Sequence, residues 1–451
     1  MSCMIFSEKP FFHWPRLAAM LGGVLMLTLL LPAKPATAAM PYVTADMEQA
    51  QYWVDRLEQP DAVVLNPEEI RAWNERTRSL QPSREFDLAD YPERVSGATV
   101  IAQIQEYTVP DSPRYAGGSL LAADYFRRLE GQRNVPAVPQ NVTVQYGVTC
   151  ARAMVRSFPT ADFAGSTPGE REFDLFQETA LDPGEPVIIL HQSTDAAWHF
   201  VQAYNYRGWV AAAAVGMAAN RAEWLNYWNH PGFLVVTGSR LDLAGRQFAM
   251  GAKLMLAEGQ SNKPKANEKA PAAYLVKIPE RGPRGELYFT VTDVKYAEDV
   301  SKGYLPYTRA NVIRQAFKMK GEPYGWGGLF EVRDCSTLIL DTYRSFGLMM
   351  PRNADEQEAA AGLEHIFPLN GSRKTVMQSL LPGATLHMSG HVMLYIGEQN
   401  GRYYIIHALG ARGGTREVAG PVMRVVVSDV SLTFKSSGKS FLDVLTVAKQ
   451  P

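Results

Sequence analysis

Apolar residues recur about every 3.6 positions in ADMEQAQYWVDRLEQPDAVV (45–64) and PEEIRAWNERTRSL (67–80), the period of helices with one buried face. Residues 40–135 therefore read as a mostly helical, partly irregular segment, closed by the proline-containing stretch NVPAVPQNV (134–142). From residue 142 the pattern changes to short alternating runs. PVIILHQ (186–192), WHFVQAY (198–204) and GWVAAA (208–213) predict three strands with tight turns, the spacing of a small barrel spanning 136–218. FAMGAKLMLAE (248–258) echoes LDPGEPVIILH, and AAYLVKIPERGPRGELYFTVTDV continues as strands around a Pro/Gly turn, which predicts a second small barrel over 219–303. EGQSNKPKANEKAP (258–271) has no apolar period and reads as a polar loop.

Residues 304–451 change character again. Thr308 is placed to cap a helix running through Phe317, with Val312, Ala316 and Phe317 on its apolar face. Asp334 is placed to cap a second helix, with Leu338, Ile339, Thr342, Tyr343 and Phe346 near one face and Gly347 closing it. HVMLYIGEQNGRYYIIHAL (391–409) predicts a hairpin. Helices followed by a sheet make this last segment α+β, and the chain as a whole an α+β multidomain protein.

The 451 residues exceed one core, and 46% apolar with 20% charged residues is the composition of a folded protein. A formal net charge of −1 gives no global basic excess for nucleic acid, and none is expected as a partner. Residues 1–38 read as a signal peptide: Lys9 and Arg16 precede the apolar run LAAMLGGVLMLTLLL (17–31), and ATAA (36–39) supplies small residues for cleavage after Ala38. The run is short for a spanning helix, so export to the periplasm or cell envelope without a stable membrane anchor is expected. Cys150 and Cys335 then remain, too few for a disulfide framework. A single Cys150–Cys335 bridge is open on sequence alone and would end any thiol chemistry.

Cys335 follows the capping Asp334, so it falls in the first helical turn. Free N–H groups there are expected to lower a thiol pKa. A thiolate needs a histidine as partner and later as acid, and His387, His391 and His407 lie downstream. Strand alternation leaves their faces open. A two-residue Asn400-Gly401 turn pairs Gln399 with Arg402 and puts His391 and His407 on opposite faces; an odd loop or a bulge restores a common face. A lone cysteine on an amphipathic helix is more often core than nucleophile. The combination with two strand histidines and the upstream PYGWGG cluster shifts the balance toward chemistry.

GEPYGWGG, RDCSTLILDTYRSFGLMMPRNADEQ, GHVMLYIG and IIHA, in that order, resemble the NlpC-type (NlpC/P60) papain-like cell-wall cysteine peptidases. Upstream, RSFPT, GEPVIILHQSTDAAWHFV, GWV and GYLPYT resemble the paired bacterial SH3-like modules of one subgroup, and residues 40–135 its N-terminal stabilising segment. The resemblance implies a papain-like α+β catalytic domain over 304–451. It implies Cys335 as nucleophile, His391 as general base and His407 as the residue orienting the imidazole. Asp334 and Ser336 would bind the free amine of an N-terminal L-alanine, and Tyr324 would line that pocket. Trp198 and the acidic residues Glu172 and Asp174 of the first barrel would close it. Thr337 departs from the family, where glycine is common after DCS. The implied reaction is hydrolysis after γ-D-glutamate in cell-wall stem peptides or muropeptides, by a monomer without metal or other cofactor. An amidase or acyltransferase with the same Cys/His machinery is the rival enzyme class. A non-catalytic wall-binding protein is the rival from another class.

Overall fold

The computed structural model describes residues 40–81, 86–257, 273–296, 299–369, 371–411, 415–418 and 420–451. The expected signal peptide over 1–38 and the expected polar loop over 258–271 lie outside the described residues. No helix among the described residues is long and apolar enough to cross a membrane.

The N-terminal segment forms the helices Ala50–Val54, Pro67–Leu80, Gly97–Gln105 and Ala123–Gln132. Pro67–Leu80 starts sharply because Asn66 and Glu69 form a capping box and Pro67 needs no amide partner. This segment does not build a core of its own. Trp53 and Trp73 bury in the same cluster as the cysteine helix, and Val100 and Ile104 bury against the first β-module. The Trp73 indole N–H donates to Ala361 O (3.1 Å), and the Asn74 amide donates to Gly347 O (2.9 Å). The described chain up to Leu80 thus acts as a strap on the last domain.

The first β-module is a seven-stranded antiparallel sheet in the order Val215–Met217, Gln145–Thr149, Pro186–Gln192, Trp198–Gln202, Arg207–Ala211, Ala153–Arg156, Gln177–Leu181. The second has five strands, ordered Leu287–Lys295, Ala273–Arg281, Lys253–Leu256, Phe233–Val236, Val300–Lys302, with a hairpin of Arg240–Leu243 and Arg246–Ala249. The helix Arg221–Trp228 between them was not legible in the pattern. It is eight residues long, and its buried Trp224 and Tyr227 cap the first module's core rather than forming a repeated apolar face.

In the last domain, Thr308 caps Arg309–Lys318 and Asp334 caps Cys335–Arg344. The sheet runs Leu363–Ile366, Val447–Gln450, Thr385–Met388, His391–Gln399, Arg402–Ala411, Val422–Asp429. Its two faces bury different sets. Val392, Leu394, Ile406 and Ala408 meet Leu338 and Ile339 of the cysteine helix. Met393, Tyr395, Ile405 and Leu409 meet Phe441 and Leu445. A helix packed on a central strand pair holds the start of that helix against the start of the strand, where the candidate site lies.

Candidate active site

Asp334 Oδ1 accepts from the Thr337 amide (2.9 Å) and the Thr337 hydroxyl (2.8 Å), fixing Cys335 as the first helical residue. Thr337, the departure from the usual glycine, thus adds a second bond to the cap. Cys335 and Cys150 are free, buried thiols, so no disulfide joins them. The pull of the helix start on this thiol is outweighed. Burial and then the adjacent Asp334 carboxylate push Cys335 up to about 12, against the Val392 and Ser336 amides and Arg352, which favour the thiolate. The Val392 amide belongs to the residue after His391, so sulfur and imidazole are brought to the same strand end.

The histidine faces are set by a bulge. The turn is the two-residue kind: Gln399 pairs with Arg402, and Asn400 and Gly401 both have positive φ. Tyr395 pairs with Ile405 and Gly397 with Tyr404, leaving Ile396 as an extra residue. Parity is thereby inverted once, and His391 and His407 come to one face. His391 Nε2 and His407 Nδ1 are hydrogen-bonded at 2.8 Å, and His407 Nε2 bonds Ser428 Oγ at 3.0 Å. Gly397 has φ +146°, and a Cβ there would meet the Trp53 ring at 3.1 Å. The N-terminal strap therefore packs on the bulge.

Burial lowers His391 to about 4, although Asp334 pulls upward, and burial together with His391 holds His407 well below its ordinary value. Burial thus favours the neutral form of both imidazoles and of the thiol. His387 pairs with Val392, one step out of phase with His391, and its Nε2 bonds Thr385 Oγ1 (2.8 Å). It takes no part in the histidine pair.

Cys335, Asp334, Ser336 and Tyr324 line one cavity of about 650 Å³. Tyr324 lies over Gly410, where a Cβ would meet its ring at 2.9 Å. Phe173 of the first module packs 6.0 Å from Tyr324 and 5.6 Å from Trp326, centroid to centroid. Asp334 and Ser336 already have a partner that the sequence reading did not assign. Arg352 reaches Asp334 Oδ2 at 2.6 Å and Ser336 Oγ at 2.7 Å, and its Nε donates to Thr179 Oγ1 (2.5 Å). Burial works to raise the Asp334 carboxyl, but Arg352 and Thr337 outweigh it and hold the group below its ordinary value. Gln357 donates to Ser336 O (2.9 Å) and Pro351 O (2.8 Å), so the PRNADEQ element anchors the nucleophile turn.

The first module's wall differs from the expectation. Asp174 is spent inside its own module, paired with Arg156 at 2.5 Å and accepting from the Ala164 and Phe176 amides. Trp198 packs on that module's core, and neither it nor Glu172 lines the cavity. Gln177, Glu178 and Tyr206 do, and the Tyr206 hydroxyl donates to Glu178 (2.6 Å). Strand alternation in Gln177–Leu181 could have pointed to Glu178, but only with the neighbouring domain in place.

Residues 321–428, which include all these histidines and Cys335, match the NlpC/P60 family, and residues 163–211 match an SH3 domain of the SH3b1 type. The chain carries an NlpC/P60 domain. Over 97 residues it is 31% identical to the bifunctional muramidase/DL-endopeptidase CwlT of Bacillus subtilis, covering 21% of this chain. The chain spans only 27% of that relative's length. The solved structure of an NlpC/P60 endopeptidase from Photobacterium damselae subsp. piscicida superposes with a TM-score of 0.69 at 18% identity, covering 89% of this chain and 96% of that one. The NlpC/P60 domain and the SH3 segment thus occur here in a fold shared over nearly the whole chain.

Proposed function

We propose that this NlpC/P60 protein is a cysteine endopeptidase that hydrolyses the bond between γ-D-glutamate and the diamino acid in cell-wall stem peptides with a free N-terminal L-alanine. The observation that carries the reading is the composition of one cavity. It holds Cys335, whose sulfur meets the amide of Val392, the residue after His391, and among the described residues it is lined by four carboxylates, Glu178, Asp334, Asp355 and Glu358, against the guanidinium of Arg352. Such a site favours a cation close to the nucleophile. With Asp334 shared with Arg352, the ammonium of L-alanine is met by Glu178 and Tyr206 from the SH3 segment together with Asp334 and Ser336. Tyr324 supplies apolar wall.

His391 Nδ1 is the nitrogen not used by His407, and it takes the Cys335 proton as sulfur attacks the γ-carbonyl of D-glutamate. The imidazolium returns that proton to the leaving amine, giving a thioester and a free diamino acid. Water then attacks the thioester with His391 as base, and the thiol is regenerated. A neutral resting pair suits this order of events, since the proton moves only once substrate is in place. The ammonium neutralises the acidic wall that otherwise opposes thiolate formation.

The second β-module is proposed as another SH3-like barrel that supports the cysteine helix. Arg333, which precedes Asp334, donates to Ser239 O of this module and pairs with Asp341 at 2.6 Å. The leader-like residues 1–38 support export to the periplasm or cell envelope, which cell fractionation tests. The reaction is tested by mass spectrometry of an L-Ala-γ-D-Glu-diamino acid peptide. L-Ala-D-Glu and the diamino acid should appear with the native protein and not with Cys335→Ala.

A further inference from the structure

We infer that Ser428 is a positioning residue: its hydroxyl oxygen accepts a hydrogen bond from the Nε2–H of His407 and so keeps Nδ1 of His391, the nitrogen His407 does not use, free to act as a base. This rests on the reading of His391 as that base.

The three residues come from three adjacent strands, His391–Gln399, Arg402–Ala411 and Val422–Asp429. They form an unbroken chain, His391 Nε2 to His407 Nδ1 at 2.8 Å and His407 Nε2 to Ser428 Oγ at 3.0 Å. Two neutral imidazoles and one hydroxyl in series allow two proton arrangements. If Ser428 accepts, His407 carries its proton on Nε2, His391 donates from Nε2 to His407 Nδ1, and His391 Nδ1 keeps a lone pair. If Ser428 donates, every proton moves one place. His391 Nδ1 then carries hydrogen and cannot receive the thiol proton. Which arrangement is present decides whether the dyad works, and Ser428 is the group at the end of the chain that decides it.

The intrinsic preference of the two rings favours the productive one. Both rings then bear their proton on Nε2, the more stable tautomer of free histidine. His407 and Ser428 are each 0% exposed, so bulk water offers the outer nitrogen no replacement partner. The edge of Phe441 lies against the His407 ring, centroids 5.8 Å apart at 84°, which holds the ring plane but supplies no acceptor. Removing the hydroxyl would leave a buried N–H unpaired in the productive arrangement, but only a lone pair unpaired in the unproductive one. The unpaired donor is the costlier of the two to bury, so alanine should tip the pair toward the inactive tautomer.

The test uses the full chain labelled with ¹⁵N-histidine, together with Ser428→Ala and Ser428→Thr. The native spectrum should assign the His407 proton to Nε2, and Ser428→Ala should move signal toward the Nδ1-protonated form. On the stem peptide, Ser428→Ala should lower kcat about tenfold or more, with KM within about twofold, the scale of losing an orienting partner one bond beyond the base. Ser428→Thr, which keeps the hydroxyl, should return kcat to within about threefold of native. An Nδ1-protonated His407 in the native protein overturns the inference without any variant needing to fold. So does a Ser428→Ala protein with unchanged tautomer and kcat. If the native protein cuts no stem peptide at all, the catalytic reading fails, while the native spectrum still decides the tautomer.

Discussion

His391 and His407 meet at 2.8 Å although the turn between their strands is the two-residue kind that should separate them, because Ile396 is an extra residue in the first strand. The inversion is stabilised from a distance. Gly397 adopts φ +146°, and the Trp53 ring occupies the space a side chain would need. The histidine pair of the last domain therefore depends on a tryptophan in the N-terminal strap.

That dependence predicts the outcome of Gly397→Ala. The substituted residue would carry backbone strain and press on Trp53, and the protein should lose about 1–3 kcal/mol of stability. The kcat should fall more than KM rises, since the damage is to the alignment of the pair rather than to the cavity wall. Thermal unfolding and steady-state kinetics on the same sample check this. An unchanged Tm and kcat would mean that the bulge does not need glycine.

Much of the last domain could be read in advance from local chemistry. Asp334 and Thr308 sit where cap residues belong, and the NG turn and the strands around it follow from alternation. What could not be read came from long-range partners. The bulge depends on Trp53, the Asp334 carboxylate is taken by Arg352, and Glu178 reaches the cavity only because the first module docks there. The expected lowered thiol pKa failed for a related reason. A helix start favours thiolate, but the same turn is buried and carries the capping carboxylate, and these two effects win.

The resting thiol should consequently be slow to alkylate. Iodoacetamide labelling of Cys335 should remain slow through pH 8.5 and climb toward about 12, because burial and Asp334 hold the proton on sulfur. Peptide mapping of labelled protein across pH measures it. A midpoint below the ordinary cysteine value would indicate a preformed thiolate–imidazolium pair.

Acid should destabilise the fold through its buried histidines. His391 and His199 are lowered to about 4 and His387 to about 3, in each case chiefly by burial. Their ordinary value is 6.5, so the unfolded chain takes up protons first. Stability is complete above 6.5 and is lost as pH falls through the window down to about 4 and 3. Melting temperature should drop across that interval, and His199→Gln should flatten part of the slope. A flat profile from pH 7 to 4 would contradict this assignment.

Arg352 and Asp334 are both buried and 2.6 Å apart. Arg352→Met should leave an unpaired carboxylate beside the nucleophile and cost about 3–5 kcal/mol. Adding Asp334→Asn should recover a large part of that loss in stability, though not in activity. Denaturant unfolding of the two single variants and the double variant gives the coupling. Equal effects, simply summed in the double variant, would mean that the pair is not coupled.

The central claim is that one acidic cavity joins a free-amine pocket to Cys335. The most direct measurement compares kcat/KM for an L-Ala-γ-D-Glu-diamino acid peptide and its N-acetyl derivative, with products identified by mass spectrometry, in the native protein and Glu178→Gln. The native protein should prefer the free amine by at least about a hundredfold, and Glu178→Gln should erase at least about tenfold of that preference, ~1.4 kcal/mol. Equal rates on both peptides, or cleavage at another bond, would contradict the account.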